Sequence, residues 1–137
     1  RMTFFKMLRA LLPADRTRLY GACGVPTGCP GGLKREDPGC IHKLAGTFKF
    51  YASFENSRCD GYITEKLKFA LEHGMVPVVM GGLGRADYEE IVPPDSFIHV
   101  DDFGSVADLA SFLLRLDADS FAYRRYFAWR YTHALEE

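Results

Sequence analysis

The sequence predicts an α/β fold, a Rossmann-like parallel sheet flanked by helices, and three observations carry that expectation. Strand-like runs at 48–54, 75–80 and 96–100 alternate with stretches of helical periodicity, an order that gives a parallel sheet with right-handed crossovers. The run Met75-Val76-Pro77-Val78-Val79-Met80 is continuously apolar, as strands covered on both faces are. Polar groups concentrate at 54–66, between the aromatic strand and the helix after it. The carboxyl ends of strands and the amino ends of helices form the ligand crevice of such a sheet, so this turn is the candidate site.

The elements follow in order. Phe4, Phe5, Leu8, Leu11 and Leu12 make an apolar stripe at helical spacing that Pro13 ends, which predicts a surface helix to about residue 12. A short strand through 18–20 is expected next. Gly21, Gly24, Pro26, Gly28, Pro30, Gly31, Gly32, Pro38 and Gly39 then exclude regular structure, leaving a long loop. The Gly31-Gly32 pair has no strand before it and no helix opening directly after it, so it lacks the phosphate-loop context. Asp37-Pro38 opens a short helix to about residue 45, with His42 a surface residue rather than a ligand.

An aromatic-rich, partly alternating run makes 48–54 a strand, and Ile63, Leu67, Ala70 and Leu71 make 64–73 a helix. Gly74 stands where a left-handed residue closes such a helix. Pro77 places the 75–80 strand near a sheet edge, since it cannot donate to a neighbour. Gly81, Gly82 and Gly84 read as a turn, 85–91 as a short helix closed by Pro93-Pro94, and 96–100 as the next strand. Ser105 with Asp108 resembles a capping box for a helix carrying Val106, Leu109, Phe112, Leu113 and Leu116. A last amphipathic helix from about Ser120 carries Phe121, Tyr123, Arg124, Tyr126, Phe127 and Trp129.

A chain of 137 residues is one domain in size. It begins at Arg1, without an initiator Met and already in helix-like sequence, so a fragment of a longer protein is expected. With 17 basic and 18 acidic residues the net charge is −1, which supplies no basic field for nucleic acid or an anionic membrane surface. No apolar run approaches the roughly 20 residues of a membrane span. Cys23, Cys29, Cys40 and Cys59 allow two bridges in three pairings. They lack the short spacing of zinc knuckles, so disulfides or free thiols rank above zinc, and an oxidising compartment is favoured.

Tyr62, Glu65 and Lys66 crowd the start of the 64–73 helix, where amide hydrogens and the dipole favour an anion by about 0.3–1 kcal/mol. A lysine there opposes the dipole, and a bound phosphate reverses that with a charge-assisted bond of about 1.5–3 kcal/mol. Glu65 would repel a phosphate but can accept two hydrogen bonds from a ribose diol. Phosphate plus diol is a nucleotide. Against it stands the plain reading, with Thr64 an N-cap, Glu65 a dipole partner and Lys66 a solvated side chain. Asp101-Asp102 likewise reads either as a divalent-metal pair or as a turn ahead of Ser105.

Several ordered motifs together resemble the α-1,3/1,4-fucosyltransferase family: Phe54-Glu55-Asn56-Ser57, Tyr62-Ile63-Thr64-Glu65-Lys66, Val76-Pro77-Val78-Val79, and Pro93-Pro94 followed by Ser96-Phe97-Ile98-His99-Val100-Asp101-Asp102-Phe103. The likeness extends to Tyr126-Phe127 with Trp129 and back to Tyr20-Gly21 with Cys23, and leaves out only the loop 25–39. It implies transfer of fucose from GDP-fucose to an N-acetylglucosamine hydroxyl of a glycan or glycoprotein, with inversion and no metal or other cofactor. The implied architecture is GT-B, with residues 1–137 as the C-terminal, GDP-fucose-binding domain and the N-terminal acceptor domain not present in this chain. The family's donor contacts map onto Asn56, Tyr62, Glu65 and Lys66, and its phosphate-binding arginine maps onto Arg1.

The general base is expected outside the chain, so the fragment alone should bind donor weakly and turn nothing over. A Golgi-lumenal, type II membrane location is also implied, through an anchor absent from this chain. The alternatives are a non-catalytic nucleotide-sugar-binding remnant and a metal-dependent UDP-sugar transferase.

Overall fold

The computed structural model describes residues 2–17, 38–54, 65–80 and 84–131, and for Glu65 and Lys66 it describes the backbone. Three parallel strands, β1 (Phe50–Phe54), β2 (Val76–Met80) and β3 (Ile98–His99), form one sheet in the order β1-β2-β3. The helices are α1 (Met2–Ala10), α2 (Pro38–Ala45), α3 (Glu65–Glu72), α4 (Arg85–Glu89), α5 (Val106–Ala118) and α6 (Ser120–Arg125), with 3-10 turns at Ala14–Arg16, Val100–Asp102 and Ala128–Tyr131. The α/β fold with a parallel, helix-flanked sheet is therefore as expected. The strand expected at 18–20, most of the glycine-rich loop, and Gly81 with Gly82 lie outside the described residues. Among the described residues, no helix is long and apolar enough to cross a membrane.

The period of two along each strand divides the core in two. Phe54, Val76, Val78, Met80, Ile98 and Val100 face one way and pack against Leu8 of α1 and Leu109, Ala110, Leu113 and Leu116 of α5. Val79 faces the other way, with Leu67 and Leu71 of α3, Tyr88 of α4, Val92, Phe97 and Trp129. Every residue of β2 is buried, which is why its sequence is continuous rather than alternating. Each fully buried Val, Leu or Phe contributes about 1.5–3 kcal/mol. A smaller cluster of Ala45, Ala70 and Met75, with Phe48, Tyr51 and Phe69 against it, seats α2 on α3.

The expectation that Pro77 marks an edge strand is wrong, because β2 lies between β1 and β3. Its N–H and C=O groups alternate in direction along the strand. Val76 donates to the carbonyl of Lys49 at 2.9 Å, so Val76 and Val78 address β1, and Pro77 addresses the side of β3. Pairing there begins only at Val78 with Ile98. Pro77 therefore sits in the central strand before the second ladder starts, and its missing donor breaks no bond of that ladder.

Two other elements are shorter than expected. Ser96 turns back to bond Pro93 O with both its N–H, at 3.3 Å, and its hydroxyl, at 2.6 Å, and Val100 already belongs to a 3-10 turn, so only Ile98–His99 is strand. Local side-chain bonds compete here with the ladder. The last helix stops at Arg125, beyond which Phe127 N–H to Arg124 O and Arg130 N–H to Phe127 O tighten the chain into 3-10 turns. That tightening carries Trp129 to the α3 and α4 side of the sheet. Cys40 in α2 is disulfide-bonded, in line with disulfides ranking above zinc.

At the amino end of β1, Lys49 Nζ lies 2.9 Å from Asp117 Oδ1 and donates to the Asp117 carbonyl at 2.7 Å. Arg16 takes the other carboxylate oxygen, and the Tyr123 hydroxyl donates to Lys49 O at 2.9 Å. Hydrogen bonding to Lys49, more than the charges of Lys49 and Arg16, holds the Asp117 carboxyl below its ordinary value, while burial pushes the Tyr123 phenol up to about 12.

Two stability tests follow from this packing. Gly74 has φ +76° and its added Cβ would meet only Arg130 at 3.7 Å, so Gly74→Ala should cost about 1–2 kcal/mol through backbone strain alone, read from urea unfolding. The depressed Asp117 carboxyl stabilises the fold fully above its unfolded value of 3.8 and loses that contribution as pH falls through the lower folded value. The unfolding free energy from urea titrations between pH 6 and pH 2.5 should therefore fall less steeply for Asp117→Asn than for the parent, by about 1 kcal/mol for these largely solvated partners.

Candidate functional site

The strand register makes a flush edge. Phe54 pairs with Met80 and Val79 with His99, so β1, β2 and β3 end side by side. A helix that follows a parallel strand runs back along the sheet, which brings the first turns of α3, α4 and α5 to this same edge. The N-termini of α4 and α5 are bonded by their own sequence: Asp87 accepts from Gly84 N–H at 3.1 Å, and Ser105 accepts from Asp108 N–H at 3.1 Å. The Ser105 cap is the one expected. α3 opens with Glu65 and Lys66 as its first two residues, placing both in the turn where amide hydrogens and dipole favour an anion.

α1 also reaches this edge. Phe4 and Phe5 meet the ring of Phe54, the last residue of β1, edge to face at 5.6 and 6.3 Å. The first turn of α1 is thereby fixed beside the carboxyl end of β1. Arg1, Asn56 and Tyr62 lie outside the described residues. Of the expected contacts, the backbone of Glu65 and Lys66 lies at the start of α3 on the carboxyl edge of the sheet, and the other three rest on the sequence alone.

On the far side of the edge, Arg85 at the first position of α4 forms a fork on Asp102, with Nε at 2.8 Å and Nη2 at 2.7 Å from Oδ2. It also reaches Glu89 at 3.3 Å and lies over the Phe97 ring at 4.8 Å. Partial burial works against the Arg85 charge, and the bonds to Asp102 and Glu89 outweigh it and hold the guanidinium above its ordinary value. Asp102 is therefore an arginine partner in a 3-10 turn. With Asp102 held by Arg85 in that turn, the turn reading of Asp101-Asp102 is the one the geometry favours.

Sequence reasoning missed Arg85, His99 and Ser53. Arg85 had a signal, since a cation in a first helical turn opposes the dipole just as Lys66 does. His99 is 1% exposed, accepts from Asp101 N–H through Nδ1 at 3.0 Å, and meets Tyr88 edge to face at 5.4 Å. The Ser53 hydroxyl is buried one residue before the end of β1 and makes no hydrogen bond, a cost of about 1–3 kcal/mol. A polar residue inside an otherwise apolar strand was the available clue for both.

A parallel α/β layer with helix N-termini and strand ends gathered on one edge is a Rossmann-like domain of the α/β class. The chain belongs to glycosyltransferase family 10, the fucosyltransferases, whose C-terminal region it matches over residues 1–137. It is 54% identical over 98 residues to alpha-(1,3)-fucosyltransferase 4 of Homo sapiens, covering 71% of this chain and 18% of that protein. It is 44% identical over 133 residues to the 3-galactosyl-N-acetylglucosaminide 4-alpha-L-fucosyltransferase of Bos taurus, covering 96% of this chain and 33% of that protein. A crystal structure of an alpha1,3-fucosyltransferase with GDP-fucose shares the fold at TM-score 0.63 and 23% identity, over 93% of this chain and 34% of the solved one. The chain thus spans a third or less of the length of these two curated relatives.

The Arg85 fork gives a direct test. Arg85→Ala should destabilise the domain by about 1–2 kcal/mol in denaturant unfolding, and Arg85→Lys should recover less than half of it, because an ammonium lacks the planar fork.

Proposed function

We propose that this domain is the GDP-fucose-binding half of an inverting, metal-independent fucosyltransferase that acts on an N-acetylglucosamine hydroxyl of a glycan or glycoprotein. The observation that carries this reading is the placement of Glu65 and Lys66 at the start of α3, on the carboxyl edge of the sheet, in a chain that matches the fucosyltransferase family along its whole length. The relatives support the substrate class, since one is named for fucosylating galactosyl-N-acetylglucosaminide and the fold neighbour was solved with GDP-fucose.

The chemistry follows from the side chains. Lys66 and the amide hydrogens of the α3 N-terminus neutralise charge that builds on the departing diphosphate, with Arg1 as the second cation. Glu65 accepts both hydroxyls of the ribose. Asn56 and Tyr62, in the segment between β1 and α3, complete the donor contacts. The fixed cations take the role that a divalent ion plays in metal-dependent transferases. The base that deprotonates the acceptor hydroxyl comes from the N-terminal part of the full protein, which also recognises the acceptor. The parent protein is Golgi-lumenal and anchored as a type II membrane protein.

The test is calorimetric titration of the full-length protein with GDP, UDP and ADP, with and without magnesium. GDP should bind tightest and be indifferent to chelation, and Lys66→Ala and Glu65→Ala should each weaken it about 10- to 100-fold with the fold intact. Preference for UDP that collapses on chelation, or unchanged GDP affinity in both variants, refutes the assignment.

A further inference from the structure

We propose that His42 and His73 form a two-histidine site for a divalent transition-metal ion of the zinc class, joining α2 to the C-terminal end of α3. His73 directly follows α3, and its Nδ1 lies 2.8 Å from the carbonyl of Phe69. A carbonyl only accepts, so Nδ1 carries the proton and Nε2 presents its lone pair. That is how ligating histidines are held, with the second ring nitrogen bonded to a carbonyl or carboxylate. The ring is also fixed in its plane, stacked on Phe69 at 4.2 Å between centres and 28° between planes.

His42, exposed on α2, brings its ring centre to 5.7 Å from that of His73 with the planes tilted by 44°. Two imidazoles on one tetrahedral zinc, with bonds of about 2.0–2.1 Å, have ring centres roughly 5 Å apart. The 5.7 Å between the two ring centres is close to that spacing. The ion sits at the C-terminal end of α3, where the last carbonyls favour positive charge. Water fills the remaining positions, since among the described residues no third ligand completes a group, and Cys40, in its disulfide, supplies no thiolate.

The site is at the opposite end of α3 from Glu65 and Lys66, so its role is to brace that helix and not to touch the sugar nucleotide. It stands without the donor assignment, because it rests on the two rings alone. The competing account is that His42 and His73 merely end the aromatic stack of Tyr51, Phe69 and His73, in which neighbouring rings are 5.2 and 4.2 Å apart.

The experiment uses the full-length protein in chelator-free, thiol-free buffer, titrated calorimetrically with zinc chloride and with magnesium chloride, with thermal unfolding alongside. Zinc should bind and raise Tm, and magnesium should do neither. His42→Ala, at an exposed position, should weaken zinc binding by at least the roughly 10-fold that even an outer-shell partner is worth and remove the Tm rise. His73→Phe, which keeps the stack on Phe69, should do the same. Absence of zinc binding, or either variant binding zinc as tightly as the parent, overturns the proposal and leaves the aromatic stack as the whole account.

Discussion

The structure depends on β2. Its five residues are buried, it is paired on both sides, and it is covered on both faces by different helices. A strand so enclosed fixes the register of its neighbours, because a slip of one residue would turn Val76, Val78 and Met80 to the wrong face. Fixed register is what makes the three strands end together. The flush edge, and with it the starting point of α3, is a consequence of apolar packing that involves none of the residues assigned to the ligand.

The two ends of the sheet have different chemistry. At the amino end, Asp117 collects Lys49 and Arg16, and Tyr123 bonds the backbone of Lys49, so charges there are spent on one another. At the carboxyl end, Arg85 is likewise committed to Asp102, while the N-termini of α4 and α5 are bonded by Asp87 and Ser105. The start of α3 differs in that its first two residues bring opposite charges to one turn. A helix gains little by itself from that arrangement, and the proposed sugar-nucleotide role would answer each charge separately, the diphosphate one and the diol the other.

The order of elements was legible in the sequence because periodicity reports burial, and burial decided the fold. The continuous run at Val76–Met80, the cap at Ser105 and the left-handed Gly74 all follow from local rules that the tertiary structure leaves in force. Pro77 was misread because an edge is inferred from a single missing donor, whereas the actual constraint is the point at which β3 begins. The shortened β3 comes from local bonds of Ser96 to Pro93 and of Asp101 to His99, which compete with the ladder and which hydrophobic periodicity does not report, whereas the broken last helix carries Trp129 to partners distant in space, which no local pattern encodes. At the site, the charges of Glu65 and Lys66 were legible. The Arg85 fork was not, since the partner Asp102 is brought to it only when β2 and β3 pair.

Trp129 gives the fold a temporal order. It lies near the end of the described chain yet packs beside Leu67 and Leu71 of α3 and Tyr88 of α4, contacts that close a long loop. During synthesis the elements before it emerge first, and the second face of the sheet lacks its bulkiest partner until Trp129 has left the ribosome. The helix that bears Glu65 and Lys66 is therefore completed from behind by Trp129, so loss of that ring would be felt at the carboxyl edge of the sheet.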